Sequence, residues 1–234
     1  MTALVIGGLL PQHGIGGAQD LPISRELAIL GAAAAVAVSF VVLALAWRSP
    51  RYDAATSGRP APGWLTTFVD SPLWRGLLRL VGLFALVYLV VIAVSGKDLV
   101  INPIFGIFYV WIWVGMVPAS VLFGRVWRAI SPFRLISTGI AKVSGGHPDE
   151  GLFTYPERLG MWPAAVGLFA FVWMELVYPH NIDLSPVRLW CGVYLGVMII
   201  GGALFGNTFY ARADPFEVYS SLVAQLSVWG RRDG

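Results

Sequence analysis

The sequence predicts an all-α, polytopic membrane protein. It predicts five transmembrane helices, one plus two parallel helical-hairpin repeats, with two cytoplasmic interfacial helices. Composition supports this class, because the 234 residues are 57% apolar and only 12% charged, with a mean hydropathy of +0.71, whereas soluble domains carry about 25% charged residues. Two further observations give the architecture: long apolar segments recur along the chain, and four short motifs occur twice in the same order.

The apolar segments are long enough to cross a bilayer. A spanning helix needs about 20 mostly apolar residues. The predicted spans are Leu27–Trp47, Leu77–Val94, Ile104–Phe123, Gly160–Tyr178 and Val187–Phe209.

The internal repeat groups the last four spans in pairs. Its four landmarks recur at offsets of 82 to 85 residues. They are Val81-Gly82-Leu83-Phe84-Ala85 with Val166-Gly167-Leu168-Phe169-Ala170, Asn102-Pro103 with Ser185-Pro186, Leu122-Phe123-Gly124 with Leu204-Phe205-Gly206, and Arg128 to Phe133 with Arg212 to Phe216. A repeat at a fixed period defines the structural unit. Each unit contains two spans and returns the chain to its starting side, which predicts parallel repeats.

The basic residues predict the orientation. Thirteen of the sixteen Lys and Arg residues lie on one side of the predicted spans, in loops or at the mouth of a helix, and three lie on the other side. Those three are Arg25, Lys97 and Arg188. Because cytoplasmic loops are enriched in Lys and Arg, the N-terminus is expected outside and the C-terminus in the cytoplasm. The expected location is the plasma (inner) membrane.

Two segments are expected to lie along the cytoplasmic face of the membrane. The segments Pro132–Val143 and Pro215–Trp229 both carry apolar residues on one helical face. Ser131 and Asp214 precede the prolines as expected N-caps, and Glu217 is placed to complete a capping box with Asp214.

The repeat and the spans divide the chain into five parts. These are 1–74 (outer segment, first span and cytoplasmic linker), 75–143 (first hairpin), 144–158 (cytoplasmic loop), 159–229 (second hairpin) and 230–234 (tail).

Three residues near the outer end of the fourth span are candidates for chemistry. Glu175 lies inside the span, where ionisable residues are rare and indicate function by default. His180 and Asp183 follow in the outer loop. An imidazole with two carboxylates is a workable ligand set for a divalent metal such as zinc or copper. The alternative is structural: Glu175 extends its carboxylate to the outer membrane interface or pairs with Arg188, and the loop is an ordinary polar turn.

His13 is a further candidate metal ligand on the outer side. It opens a glycine-rich segment that contains no phosphate-binding pattern. The alternative is that this glycine-rich segment is only a flexible lead into the first span. The chain has no basic run, so nucleic acid is not an expected partner, and its single cysteine, Cys191, excludes an internal disulfide.

The segment His13–Pro22, the span end at Trp47–Arg51, and the turns Ser131-Pro132-Phe133 and Asp214-Pro215-Phe216 resemble actinobacterial multi-pass membrane proteins labelled fenitrothion hydrolase. That label implies hydrolysis of an organophosphorus triester. Metal-activated water would then attack phosphorus, with Glu175, His180 and Asp183 as ligands or base.

Two functions are therefore open at this point. One is a membrane hydrolase with an outward-facing site. The other is a non-enzymatic protein, either a transport module or an assembly partner. Its expected partners are the lipid bilayer and a second membrane subunit or further copies of the chain.

Overall fold

The computed structural model describes residues 24–46 and 59–230. Every regular element within these ranges is helical, so the all-α class is confirmed. In chain order the elements are α1 (Arg25–Ala46), α2 (Gly63–Asp70), α3 (Pro72–Ser95), α4 (Pro103–Phe105), a π-helix (Gly106–Val114), α5 (Met116–Phe123), α6 (Val126–Ile130), α7 (Pro132–Ser144), a 3₁₀ turn (Glu157–Leu159), α8 (Trp162–Leu176), α9 (Leu184–Phe205), α10 (Asn207–Ala213), α11 (Pro215–Val223) and a 3₁₀ turn (Ala224–Leu226).

Among the described residues, three helices are long and apolar enough to span a membrane: α1, α3 and α9. The segment from Pro103 to Phe123 makes a fourth if its two parts, which meet at 41°, form one span. The helix at the fourth predicted span, α8, is apolar but has only 15 residues. The helices are therefore compatible with an integral membrane protein of three to four candidate spans.

The chain divides into two units. Residues 1–60 form one unit, whose described helix is α1, and residues 61–234 form the other. The larger unit contains both predicted hairpins, and the interactions described below all lie within it.

Local sequence signals set the ends of the helices in the larger unit. The side chain of Ser71 accepts a hydrogen bond from the Trp74 amide at the start of α3, and Pro72 occupies the first turn. The repeated Leu-Phe-Gly motifs end α5 and α9: Gly124 has φ 81° and ψ −144°, and Gly206 has φ 63° and ψ −157°. Only glycine adopts this backbone region readily, which explains why the fifth predicted span ends at Phe205 and not at Phe209.

The helix at the third predicted span is interrupted. In its first half the backbone is π-helical, and the Gly115 amide donates to the Val110 carbonyl at 2.8 Å. Pro118, near the start of α5, has no amide hydrogen to continue the helical ladder and crowds the preceding turn. Both features are established causes of a sharp bend.

Interlocking aromatic rings fill the centre of the larger unit. The Phe171 ring lies 4.9 Å from that of Phe108, 5.5 Å from that of Trp190 and 5.3 Å from that of Phe216. Each of these contacts is tilted or edge-to-face, the arrangements that aromatic quadrupoles favour. Phe171 itself is fully buried, so α8 supplies the centre of this core.

The two predicted interfacial helices are partly inserted into the protein. Phe133 at the start of α7 and Phe216 at the start of α11 are 2% and 1% exposed. Both side chains were expected to face lipid, and both pack instead against aromatic residues of the bundle. The later turns of both helices present apolar side chains outward, at Ile140 and Val143 of α7 and at Leu222 of α11.

The expected capping pattern of these helices is only partly correct. Asp214 accepts a hydrogen bond from the Phe216 amide and caps α11 as predicted. The capping box is wrong, because both carboxylate oxygens of Glu217 bind Arg134. Ser131 occupies the N-cap position of α7, but its side chain makes no capping hydrogen bond.

The glycines of the repeated Val-Gly-Leu-Phe-Ala motif, Gly82 and Gly167, lie at close contacts. A methyl group on Gly82 would collide with the backbone carbonyl of Ile130, at the end of α6. A methyl group on Gly167 would lie 3.1 Å from the ring of Pro215, at the start of α11. These glycines therefore let α3 approach the end of α6 and let α8 approach the start of α11.

This contact predicts a position-specific effect of alanine. Gly82→Ala should lower the stability of the detergent-purified protein by about 1–3 kcal/mol, the usual cost of overpacking. The control is Gly76→Ala on the same helix, where a methyl group meets nothing within 4 Å. Thermal unfolding of both variants measures the difference. Equal unfolding midpoints would contradict the close contact at Gly82.

Candidate functional site

A buried ion pair joins the two inserted helices. Arg134 of α7 donates from Nε to Glu217 Oε2 at 2.8 Å and from Nη2 to Glu217 Oε1 at 2.5 Å. Their side chains are 9% and 2% exposed. A bidentate pair of this kind is geometrically specific. Loss of either partner would leave a buried charge unpaired, which typically costs about 3–5 kcal/mol.

Asp214 forms a second buried centre beside this pair. One carboxylate oxygen accepts from Trp127 Nε1 at 2.8 Å, and the other accepts from the Tyr194 hydroxyl at 2.9 Å and from the Phe216 amide at 3.0 Å. Asp214 thus ties α6, α9 and α11 together. Burial raises the pKa of this carboxyl to about 6, and the hydrogen bonds from Trp127 and Tyr194 offset only part of that effect.

Two serines extend the polar contacts between the hairpins. The hydroxyls of Ser120 and Ser220 lie 2.9 Å apart, and Ser220 Oγ also accepts from the Trp127 amide at 3.3 Å. The hydroxyl of Ser131 is buried without a hydrogen-bond partner. This end of the bundle therefore contains one unsatisfied hydroxyl beside a network of paired groups.

Asn207 connects the ion pair to a loop. Its backbone carbonyl accepts from Arg134 Nη2 at 3.3 Å, and its Nδ2 donates to Asp149 Oδ1 at 2.8 Å. The loop also covers the end of α9, since the Phe153 amide donates to the Leu204 carbonyl at 2.7 Å. The loop predicted at residues 144–158 thus satisfies backbone groups at the end of α9.

At the opposite end of the bundle, the loops of the two hairpins bind each other. Asp98 accepts from the Leu184 amide at 2.9 Å, so a residue of the first hairpin caps α9 of the second. Arg188 donates in return to the backbone carbonyls of Ala93 and Gly96. The guanidinium therefore neutralises the carbonyl end of α3. The predicted alternative, an Arg188–Glu175 pair, is not the contact that Arg188 makes.

Glu175 lies in the last turn of α8 and is half-buried. Its Oε2 atom is buried without a hydrogen-bond partner. Its backbone carbonyl accepts from Asn181 Nδ2 at 2.6 Å, and the Asn181 carbonyl accepts from the Tyr109 hydroxyl at 2.8 Å. The carboxyl group is thus held beside a polar loop, with one oxygen turned away from water.

His180 and Asp183 form a pair in that loop. His180 Nδ1 lies 3.0 Å from Asp183 Oδ2, and the two side chains are 65% and 50% exposed. Within residues 24–46 and 59–230, no three His, Cys, Asp or Glu side chains are grouped to hold a metal ion. The structure therefore joins His180 and Asp183, and Glu175 does not complete a three-residue metal-binding group with them. His13 and most of the predicted linker lie outside the described residues.

The sequence patterns did not indicate the buried network around Arg134 and Asp214. In the sequence, Arg134 is one of many basic residues, and Glu217 fits a capping box. A usable signal was present, because aligning the two Pro-Phe motifs places Arg134 and Glu217 at the same position of the repeat. Opposite charges at equivalent positions of two repeats indicate that the positions can meet.

The raised pKa of Asp214 predicts a pH dependence of stability. Between about pH 4 and 6 the folded state retains a proton that the unfolded state has lost, so this carboxyl stabilises the fold at low pH and loses that contribution as pH rises through about 6. The change is on the order of 3 kcal/mol for a shift of this size.

The measurement is thermal unfolding in detergent from pH 4 to 7 for the wild-type chain and for Asp214→Asn. The difference in stability between them should vary with pH across this window. The matched control, Glu157→Gln at an exposed carboxyl, should follow the wild-type curve. A difference between wild type and Asp214→Asn that stays constant with pH would refute the assignment.

Comparison of the chain with protein-family models, with curated proteins and with solved structures gives no match.

Proposed function

We propose that the chain is an integral membrane protein that works as a non-enzymatic assembly module, built from two parallel hairpin repeats. The observation that carries the proposal is the buried Arg134–Glu217 pair together with the aromatic core around Phe171. The two features join the hairpins and fill the space between them. A rigid interior of this kind suits a scaffold that presents its outer surface.

The interior argues for a static role over transport. A transport path needs polar groups that can exchange partners near the middle of the bundle. Here the core around Phe108, Phe171 and Trp190 consists of packed rings. The ionised groups Arg134 and Glu217 bind each other. Asp214 is likewise occupied, by three donors.

The outer surface supports a partner within the bilayer. Large apolar side chains are exposed along the candidate spans, among them Phe84 on α3, Trp111 in the π-helix and Phe169 on α8. Lipid covers such surfaces, and another membrane subunit or a second copy of the chain can cover part of them. Extended exposed apolar surface is the physical mark of membrane or protein contact.

The proposed topology has five spans, with the N-terminus outside and the C-terminus in the cytoplasm of a plasma (inner) membrane. The distribution of Lys and Arg supports it, with thirteen on the cytoplasmic side against three outside. In this topology the ion pair and Asp214 lie toward the cytoplasm, and Glu175, His180 and Asp183 lie outside.

The topology predicts side-specific labelling of cysteines. In a Cys191→Ala background, Lys97→Cys should react with a membrane-impermeant thiol reagent on intact cells. Lys142→Cys should react only after permeabilisation. Both lysines are exposed in the structure, so burial will not block the reaction. The opposite pattern would reverse the orientation, and labelling of both from outside would contradict the number of spans between them.

A second function, hydrolysis of an organophosphorus triester, is favoured by one observation. His180 and Asp183 are paired at 3.0 Å, and the buried, unpartnered oxygen of Glu175 lies in the preceding helix turn. A carboxylate-oriented imidazole is a workable general base. The resemblance to proteins labelled fenitrothion hydrolase implies the same reaction class.

The two functions predict different properties of the purified protein. For an assembly module, the protein mass of the particle extracted in native lipid, after the lipid mass is subtracted, should exceed the 25.4 kDa of one chain. Phosphotriester turnover should be the same for wild type and for Glu175→Gln, His180→Ala. Native mass, elemental metal content and turnover are measured on one preparation.

The matched control for this comparison is Lys97→Gln, an exposed substitution in a neighbouring outer loop. Bound divalent metal, with turnover lost in the double variant and kept in the control, would establish the hydrolase. A particle with the mass of a single chain would overturn the assembly proposal.

A further inference from the structure

The ion pair joins two positions that the repeat makes equivalent. Phe133 and Arg134 correspond to Phe216 and Glu217 at a common offset of 83 residues. Arg134 and Glu217 then bind each other with two hydrogen bonds. In an interface between two like units, a residue that meets its own equivalent lies at the symmetry axis.

Each inserted helix packs against helices of both hairpins. The inserted helix α7 packs against α3 of its own hairpin and against α9 of the other. The inserted helix α11 packs against α8 of its own hairpin and against α5 of the other. Each inserted helix therefore contacts the first span of its own hairpin and the second span of its neighbour.

Ring contacts repeat the same reciprocal pattern. Phe133 stacks on Tyr210 in the short helix of the second hairpin, at 6.3 Å. Phe216 packs on Trp127 in the short helix of the first hairpin, at 5.2 Å. In an isologous interface, each half makes the same contacts with the other half.

Two serines at the same offset make a third reciprocal pair. Ser220 contacts Trp127 at its backbone amide, and Ser137 contacts the equivalent residue, Tyr210, at its side chain. Ser137 and Ser220 are again 83 residues apart. Three kinds of contact thus follow one pseudo-two-fold relation, with the ion pair at its centre.

The charges of Arg134 and Glu217 are the exception to this pseudo-two-fold relation, because the two equivalent residues carry opposite charges. Two first hairpins joined in the same manner would bury Arg134 against a second Arg134, and two second hairpins would bury two Glu217 side chains. Like charges at a buried position are strongly unfavourable, because water cannot screen them. The opposite charges permit only the pairing of a first hairpin with a second hairpin.

We infer that the surface around Arg134 and Glu217 is a hairpin-pairing interface whose partner is selected by charge, and that it accepts the complementary hairpin of a second copy of this chain when the charges within one chain no longer match. The inference rests on the proposed repeat architecture and is independent of any activity. It assigns partner selection to the ion pair, beyond its contribution to stability.

The experiment uses full-length chains with charge reversals and a disulfide reporter. The hydroxyls of Ser120 and Ser220 are 2.9 Å apart across the interface, so cysteines at these positions report which hairpins are paired. One chain carries Arg134→Glu with Ser120→Cys, and the other carries Glu217→Arg with Ser220→Cys. Both have Cys191→Ala and different tags, and they are expressed together and oxidised in the membrane.

Exchange of hairpins should yield a disulfide between the two chains. Its yield should exceed by about tenfold that of control chains carrying the same cysteines and wild-type charges, since a buried like-charge contact excludes the other pairing. A chain with both reversals and both cysteines should form the disulfide internally, as should the wild-type-charge chain with both cysteines.

Two results would overturn the inference. One is an equal yield of the interchain disulfide with wild-type charges. The other is failure of the doubly reversed chain to form the internal disulfide while the wild-type-charge chain forms it, because charge complementarity would then not determine pairing. Neither readout depends on enzymatic activity or on the mass of the native particle, so the inference and the proposed function fail separately.

Discussion

The bidentate contact between Arg134 and Glu217 is the interaction on which the arrangement of the two hairpins depends. A buried ion pair adds little net stability, because desolvation offsets the attraction between the charges. Its effect is conditional: neither residue can be buried without the other. Since Arg134 lies in the first turn of α7 and Glu217 in the first turn of α11, both helices must be inserted together.

The rest of the network follows from that joint insertion. Once α11 is inserted, Asp214 lies within reach of Trp127 and Tyr194, and its carboxylate binds three helices. Phe216, next in the chain, completes the aromatic core beside Phe171. Polar groups thus occupy one end of the bundle and rings occupy its centre. This division suits a membrane protein, because unsatisfied polar groups are most costly at the depth of the hydrocarbon.

The other end of the bundle is joined by different chemistry. There the hairpins exchange helix-end contacts, with Asp98 on the amide of Leu184 and Arg188 on carbonyls at the end of α3. These bonds satisfy backbone groups that a helix leaves open. His180 and Asp183 project from the same region into solvent.

The sequence by itself determined the all-α class and the approximate position of each long apolar helix. The glycines that end α5 and α9 act through their own backbone freedom, although the predicted fifth span ran past Gly206 to Phe209. These depend on composition, on segment length and on the backbone freedom of single residues, all of which act locally. It also predicted Asp214 as the cap of α11, because capping involves residues two positions apart. Its error at Glu217 has a simple cause: a capping box and a distant arginine compete for the same carboxylate, and only the fold brings Arg134 near.

Only the tertiary structure decided which residues meet across the hairpins. The Arg134–Glu217 pair joins residues 83 positions apart, and Asp98 caps a helix that begins 86 positions later. The tertiary structure also decided what the apolar faces of α7 and α11 contact. A helical stripe of apolar residues fits lipid and protein equally well. The neighbouring helices placed Phe133 and Phe216 inside the bundle. Periodicity identifies an apolar face, whereas its partner depends on which other helices the folded chain brings beside it.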